Sequence, residues 1–392
     1  MNKQSIYETI AGSLDEMVQI RRHLHMHPEL SFEEENTAAY IADYLENLGI
    51  EVRRNVGGRG VVGLIRGGKP GKTIAFRADF DALPIQDAKD VPYKSTVPGV
   101  MHACGHDGHT ASLLLFAKAM NEVKDELEGN IVLLHQHAEE LNPGGAIGMI
   151  EDGCLDGVDM VFGAHLQSQM AYGKIYSRDG YLQAAESTIR IQVNGHGSHG
   201  AEPHTGRDPI LAASHIMTAL QSIVSRNAPP LEQLVVSIGS FHAGQAANVI
   251  PETAVLEGTM RVYDEGLREL ASERIKEIAE YTAKAFGCTA DVDVTKGYDT
   301  VINHTEGIEI LEKAVEDAYG PETYQEIDPV MPAEDFSYYL QHRPGAYFFV
   351  GALAPDAEKA YPHHHERFDF YEPALPMAAT TFAAIFFEAQ EK

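Results

Sequence analysis

The sequence predicts a two-domain α/β protein in which a smaller α+β unit interrupts the chain of a larger one. Three observations predict it. The chain has 392 residues, more than one compact core normally holds. Short apolar runs alternate with helix-period segments up to about residue 182 and again after 296, as in an α/β sandwich with a largely parallel or mixed sheet. Between them, over 183–295, the pattern changes to period-two strands and two long amphipathic helices.

The elements follow in order. Residues 6–48 carry helical spacing, interrupted at His27-Pro28, where proline disfavours helix in the residue before it. Runs at 60–65 and 73–76 read as strands, 110–123 as a helix and 130–136 as a strand. A helix over 145–151 and a strand over 159–164 complete this half. In the insertion, 187–193 (STIRIQV) alternates as a half-exposed strand does, and 234–239, 254–263 and 289–294 add three more. Helices over 209–224 and 266–286 pack on one face of that four-stranded antiparallel sheet. The α/β pattern resumes with a helix over 307–319, a strand over 346–351 and a C-terminal helix from Pro373.

Composition narrows the function. A formal charge of −28 repels nucleic acid and anionic membrane surfaces. The N-terminus lacks the apolar core of a secretory signal, and no apolar stretch is long enough for a membrane span, so a cytoplasmic protein is expected. Three widely spaced cysteines make a poor disulfide framework and fit a reducing compartment. Cys154 and Cys288 read as ordinary buried residues, whereas Cys104 sits among histidines.

The chemistry gathers in four places. His102-Ala-Cys104-Gly-His106-Asp107-Gly-His109 puts Cys and His two residues apart at a helix start, a spacing that lets both reach one metal. A polar helix-start loop with surface histidines would read the same way. His135-Gln-His137-Ala-Glu139-Glu140 follows an apolar strand, where open α/β sheets gather their ligands. One acid there can bind metal while the other handles protons, although a bare Glu-Glu pair is more often a solvated strand end. His165 follows another apolar strand, a place where a lone histidine is usually structural. His363-His364-His365 precedes Arg367-Phe-Asp and could be a surface tract. Each cluster alone is weak; four in one α/β domain point to a metal centre.

Taken in order along the chain, these segments resemble the M20 metallopeptidases, and most closely their aminoacylase and amidohydrolase branch. The resemblance rests on Arg21–Glu29 (RRHLHMHPE), Arg77–Pro84 (RADFDALP), His102–His109, Ala138-Glu-Glu140, His199-Gly-Ala with Pro203-His204, Asn248–Pro251, Gly258–Arg261, Glu334-Asp-Phe336 and His364–Asp369. It spans essentially the whole chain. It implies a catalytic α/β domain of the phosphorylase/hydrolase-like, zinc-exopeptidase type at 1–182 and 296–392, with a ferredoxin-like lid at 183–295 that dimerises. It implies two divalent metal ions per subunit (Zn, Mn, Co or Ni) held by Cys104, His106, Glu140, His165 and His364, with Cys104 bridging. By the same resemblance Glu139 is the general base, Asp79 orients a ligand, and His199 stabilises the oxyanion, often across a subunit boundary. Asn248 and Arg261 hold the substrate carboxylate, a task that suits arginine's planar fork.

The chain departs from the branch at Gln136-His137, where Gln-Pro is usual, at His165-Leu-Gln-Ser, which lacks a following proline, at Glu366, which replaces proline, and at His242. None of these is a proposed ligand. The implied reaction is hydrolysis of N-acyl amino acids, with a metal-activated water as nucleophile. Two readings stand beside it: a metallo-dipeptidase, and a catalytically silent binder on the same fold. A redox role for Cys104 lacks a resolving cysteine nearby.

Overall fold

The computed structural model describes residues 3–391, and they form two compact units. The larger contains the residues up to Leu182, Val301–Pro329 and the residues from Asp335 on; the smaller is Gln183–Thr300 with Val330–Glu334.

The larger unit is built on an eight-stranded mixed sheet. Its first six strands in chain order are β1 (Glu51–Val56), β2 (Gly60–Arg66), β3 (Lys69–Asp79), β4 (Glu128–Gln136), β5 (Met160–Ala171) and β6 (Ile175–Ser177). The spatial order is β1-β2-β4-β3-β5, then Gly345–Leu353, β6 and Tyr324–Glu326. The central strands β4, β3, β5 and Gly345–Leu353 run parallel. They are therefore near-continuous apolar runs, as strands covered on both faces must be.

Period-two alternation sorts their side chains. Ile74, Phe76 and Ala78 of β3, Ile131 and Leu133 of β4 and Phe348 of Gly345–Leu353 join the main core. Helices His106–Glu122 and Leu375–Glu391 pack there, with Phe76, Phe116 and Phe382 in ring contact. Arg77 and Asp79 of β3 and Gln136 of β4 point to the opposite face.

Three strands of this sheet escaped the sequence pattern. β1 has mostly exposed side chains and so lacks an apolar alternation, and β6 and Tyr324–Glu326 are three residues each. Strand β5 also runs further than the expected 159–164, because its pairing with Gly345–Leu353 continues through Gln167. His165 accordingly lies within the strand and not just after it.

In the smaller unit the strand order is Leu234–Ala243, Thr253–Val262, Ala185–Asn194, Thr289–Lys296, all antiparallel. Helices Pro209–Ser222 and Glu265–Ala285 cover one face, burying Ile189, Ile191, Leu256, Met260, Ile216 and Ile275. Asp208 caps the first helix by accepting from the Ile210 and Leu211 amides, with Pro209 at the first helical position. Residues 297–300 stay with this unit through backbone bonds between Glu186 and both Gly297 and Tyr298, and from Thr300 Oγ1 to Tyr263.

Candidate metal centre

Four chain segments converge beyond the carboxyl ends of the parallel strands, where α/β sheets place their ligands. Asp79 ends β3, Glu139 and Glu140 follow β4, His165 lies on β5, and His364 is on the loop after Gly345–Leu353. The fifth contribution comes from the start of helix His106–Glu122. Gly105 precedes it at φ +100°, a left-handed turn that favours glycine, and places Cys104 beside His106.

Candidate ligand atoms of Cys104, His106 and His165 lie within 4.8 Å of one another; so do those of Cys104, Glu140 and His364, and those of His106, Glu139 and Glu140. All five side chains named as ligands thus fall into overlapping groups, with Glu139 beside them. Cys104 Sγ is 3.4 Å from His165 Nε2, and His364 Nε2 is 3.1 Å from Glu140 Oε1. The His364 amide donates to the Ala103 carbonyl, which ties this distant loop to the Cys104 turn.

The hydrogen bonds decide which nitrogen of each imidazole is free. His165 Nδ1–H donates to the Leu166 carbonyl at 2.9 Å, leaving the Nε2 lone pair facing Cys104. His106 Nδ1 is 3.0 Å from the Asp81 carbonyl and 3.1 Å from Asp81 Oδ1, and its Nε2 is buried with no hydrogen-bond partner. His109 differs: its Nδ1 donates to Asp79 at 2.6 Å and its Nε2 accepts from the Leu166 amide, so both nitrogens are committed. His109 supports the site without a lone pair to offer it.

Asp79 belongs to a second layer. It accepts from His109 and from Arg77, and Arg77 also donates to Asp335 (2.9 Å) and Gln136 (2.9 Å), all fully buried. Asp81 joins two ligands: it holds the His106 ring, and its Oδ2 accepts from the Glu140 amide at 3.0 Å. The sequence motif containing Asp81, His109 and Asp335 was visible, but their roles were not. The one signal available was the three-residue spacing of His106 and His109, which puts both on one helix face.

Electrostatics mark the site as short of positive charge. Burial disfavours the charged form of His106, yet Asp79, Asp81 and Glu140 outweigh it and push its pKa up to about 10. Burial, then Glu140 and Glu139, drive the Cys104 thiol well above its ordinary range. The hydrogen bond to Glu140 raises His364. A bound cation would reverse these effects, favouring thiolate and neutral imidazole. The buried unpartnered Nε2 of His106 and the mixed S, N and O donor set fit a divalent metal.

The three remaining residues lie in the smaller unit. His199 is exposed on the short strand Ser198–His199, which pairs with Val249–Ile250, and Asn248 is exposed next to it. The Asn248 carbonyl accepts from the Gly200 amide. Arg261 is near the far end of Thr253–Val262 and pairs with Glu186. Eight residues of strand separate Thr253 from Arg261, roughly 26 Å at the usual rise.

Residues 75–388 match the family model described as peptidase family M20/M25/M40. The chain belongs to that family. It is 44% identical over 308 residues to the N-acyl-L-amino acid amidohydrolase of Geobacillus stearothermophilus, covering 78% of this chain and 83% of that protein. It is 40% identical over 374 residues to thermostable carboxypeptidase 1 of Saccharolobus solfataricus, covering 95% and 94%. Among solved structures, a dinuclear metal binding peptidase of the M20 family from Bacillus subtilis superposes with a TM-score of 0.82 at 33% identity, covering 97% of this chain and 99% of that one. Among the described residues no helix is long and apolar enough to cross a membrane.

Proposed function

We propose that this M20 hydrolase cleaves the amide bond of N-acyl amino acids at a centre of two divalent metals held by Cys104, His106, Glu140, His165 and His364. One observation carries the proposal: five donors of the right chemistry converge beside buried Glu139. The relatives' names point the same way. An N-acyl amino acid amidohydrolase and a carboxypeptidase both cut an amide whose nitrogen belongs to an amino acid with a free carboxylate.

The metals, when bound, supply Lewis acidity that acidifies a water and polarises the amide carbonyl. Glu139 takes the proton of the attacking water and returns it to the leaving nitrogen. Cys104 belongs to both ligand groups and would be the donor they share. Asp79 and Asp81 fix ring orientation through His109 and His106. His199 donates to the oxyanion, and Arg261 and Asn248 hold the substrate carboxylate.

His199, with Asn248 adjoining, belongs to a short two-stranded ladder that precedes the Thr253 end of Thr253–Val262, and Arg261 stands near the other end of that strand. A single lid does not carry both ends to one small substrate, so His199 and Asn248 act on the site of a second copy. A homodimer through the lid follows, and the exposed Leu211 and Val249 there are consistent with a covered surface. Zinc, manganese, cobalt and nickel all suit the donors. The acidic charge and three unpaired cysteines accord with a cytoplasmic protein.

The test is amino-acid release, followed by mass spectrometry, from a panel of N-acetyl, N-benzoyl and longer N-acyl amino acids beside dipeptides. Release by the metal-reconstituted protein, reduced about 10²–10⁴-fold in Glu139→Gln with metal content retained, is expected. Undiminished turnover in Glu139→Gln would remove the base from the mechanism. Release from dipeptides alone would replace the substrate class.

A further inference from the structure

Glu34 is the residue before the helix Glu35–Asn47, the position from which short polar side chains such as Asp or Ser cap a helix. It makes no capping bond there. It is fully buried, and its Oε1 accepts instead from the amide of Ala138, 2.7 Å away and 104 residues along the chain. Ala138 is itself fully buried and has φ +53°, the left-handed region that residues with a Cβ avoid. It immediately precedes Glu139. On the other side of Glu139, the Glu140 amide donates to Asp81 Oδ2 at 3.0 Å. The backbone around the base is thus gripped by two carboxyl groups from distant segments, one on each flank.

We infer that Glu34 is a positioning residue for Glu139, holding the left-handed turn at Ala138 so that the base carboxylate sits where the attacking water is bound. This rests on the reading of Glu139 as general base. The bond does not touch a metal ligand, so its loss changes the rate without emptying the site. An unheld turn lets Ala138 relax towards ordinary φ and moves the carboxylate. Misplacement by about 1 Å costs on the order of 10²-fold in rate.

The experiment compares three variants by kcat, KM and metal content on an N-acyl amino acid that the native protein cleaves. Glu34→Gln keeps a carbonyl acceptor for the Ala138 amide and should retain kcat within about 3-fold. Glu34→Met removes the acceptor and should lower kcat roughly 10- to 100-fold, with KM and metal content near native. Adding Ala138→Gly to Glu34→Met should recover several-fold of that loss, because glycine adopts the left-handed turn unaided. Native kcat in Glu34→Met, an equal loss in Glu34→Gln, or a loss that follows metal content would overturn the inference. Should Glu34→Met fail to fold, the Glu34→Gln result still decides. An inactive Glu139→Gln beside a fully active Glu34→Met would sink this inference alone; an active Glu139→Gln would sink the reading beneath it.

Discussion

Two buried polar clusters flank the first turn of helix His106–Glu122, and they solve the problem of buried charge in different ways. On one side Asp107 meets Arg21 at 2.9 Å and His25 at 2.7 Å, and Arg21 also reaches Asp369 (2.7 Å) and Glu372 (3.1 Å). Lys89 adds a second cation, donating to the Phe368 carbonyl, and Tyr93 and Phe370 present ring faces to Arg21. On the other side His106 faces Asp79, Asp81 and Glu140, with Cys104 and Glu139 alongside, and Arg77 donates to Asp79. The first cluster meets its carboxylates with Arg21 and Lys89; in the second Arg77 meets Asp79, while imidazoles face Asp81 and Glu140. Neighbouring residues on one helix turn, His106 and Asp107, thus belong to different kinds of site. Burial alone does not mark a functional centre, whereas burial with clustered thiol, imidazole and carboxylate donors and a spare imidazole nitrogen does.

Chelation should break the comparison most sharply. Removing divalent metal is expected to abolish turnover and leave a cooperatively folding protein, with activity restored by added metal; amino-acid release and thermal unfolding on the same samples check this. Arg21→Met acts on the other cluster. It strands Asp107 and Asp369 and should cost about 3–5 kcal/mol in denaturant unfolding. The metal content of the folded fraction should stay near native.

The clusters should also respond to pH with opposite sign. In metal-free protein the pKa of His106 is raised to about 10 from an ordinary 6.5. A raised imidazole pKa stabilises fully below the ordinary value and loses that contribution as pH rises through the folded one. Chelated protein is therefore expected to lose stability between about pH 6.5 and 10, and reconstituted protein to lose much less. Asp107 behaves in reverse. Burial alone would raise it, but Arg21 and His25 hold it well below the ordinary 3.8, so its contribution is present above that value and lost in acid. Melting curves against pH, with and without metal, separate the two. The smallest effect belongs to the rim: Arg22 makes two bonds to Glu372 but is part-exposed, and Arg22→Ala should cost less than about 1 kcal/mol in the same denaturant assay.

The same contrast explains what the sequence could disclose. The α/β architecture was legible because the buried parallel strands are unbroken apolar runs and the lid strands alternate. The edge strand β1 was not, since its charged side chains point to solvent. Among the site residues, Cys104 stands close to His106 and Glu139 next to Glu140 in sequence, and the chemistry of each pair advertised itself. His165 and His364 gained meaning only through the ordered motif set, because a lone strand histidine looks structural. The partners that hold the site were silent. Arg77 with Asp335, Asp81 with Glu140, and Glu34 with Ala138 are joined by the fold across 59 to 258 residues, and no local pattern encodes such pairs. The placement of His199 on a short separate ladder and of Arg261 near the far end of Thr253–Val262 was likewise a matter of register.

The most direct test of the central claim is metal stoichiometry by inductively coupled plasma mass spectrometry on reconstituted protein, native beside Cys104→Ala. The account expects close to two divalent ions per subunit in the native protein and a clear deficit in Cys104→Ala. A native protein that holds none, or a Cys104→Ala protein that binds as much metal as the native one, would contradict it.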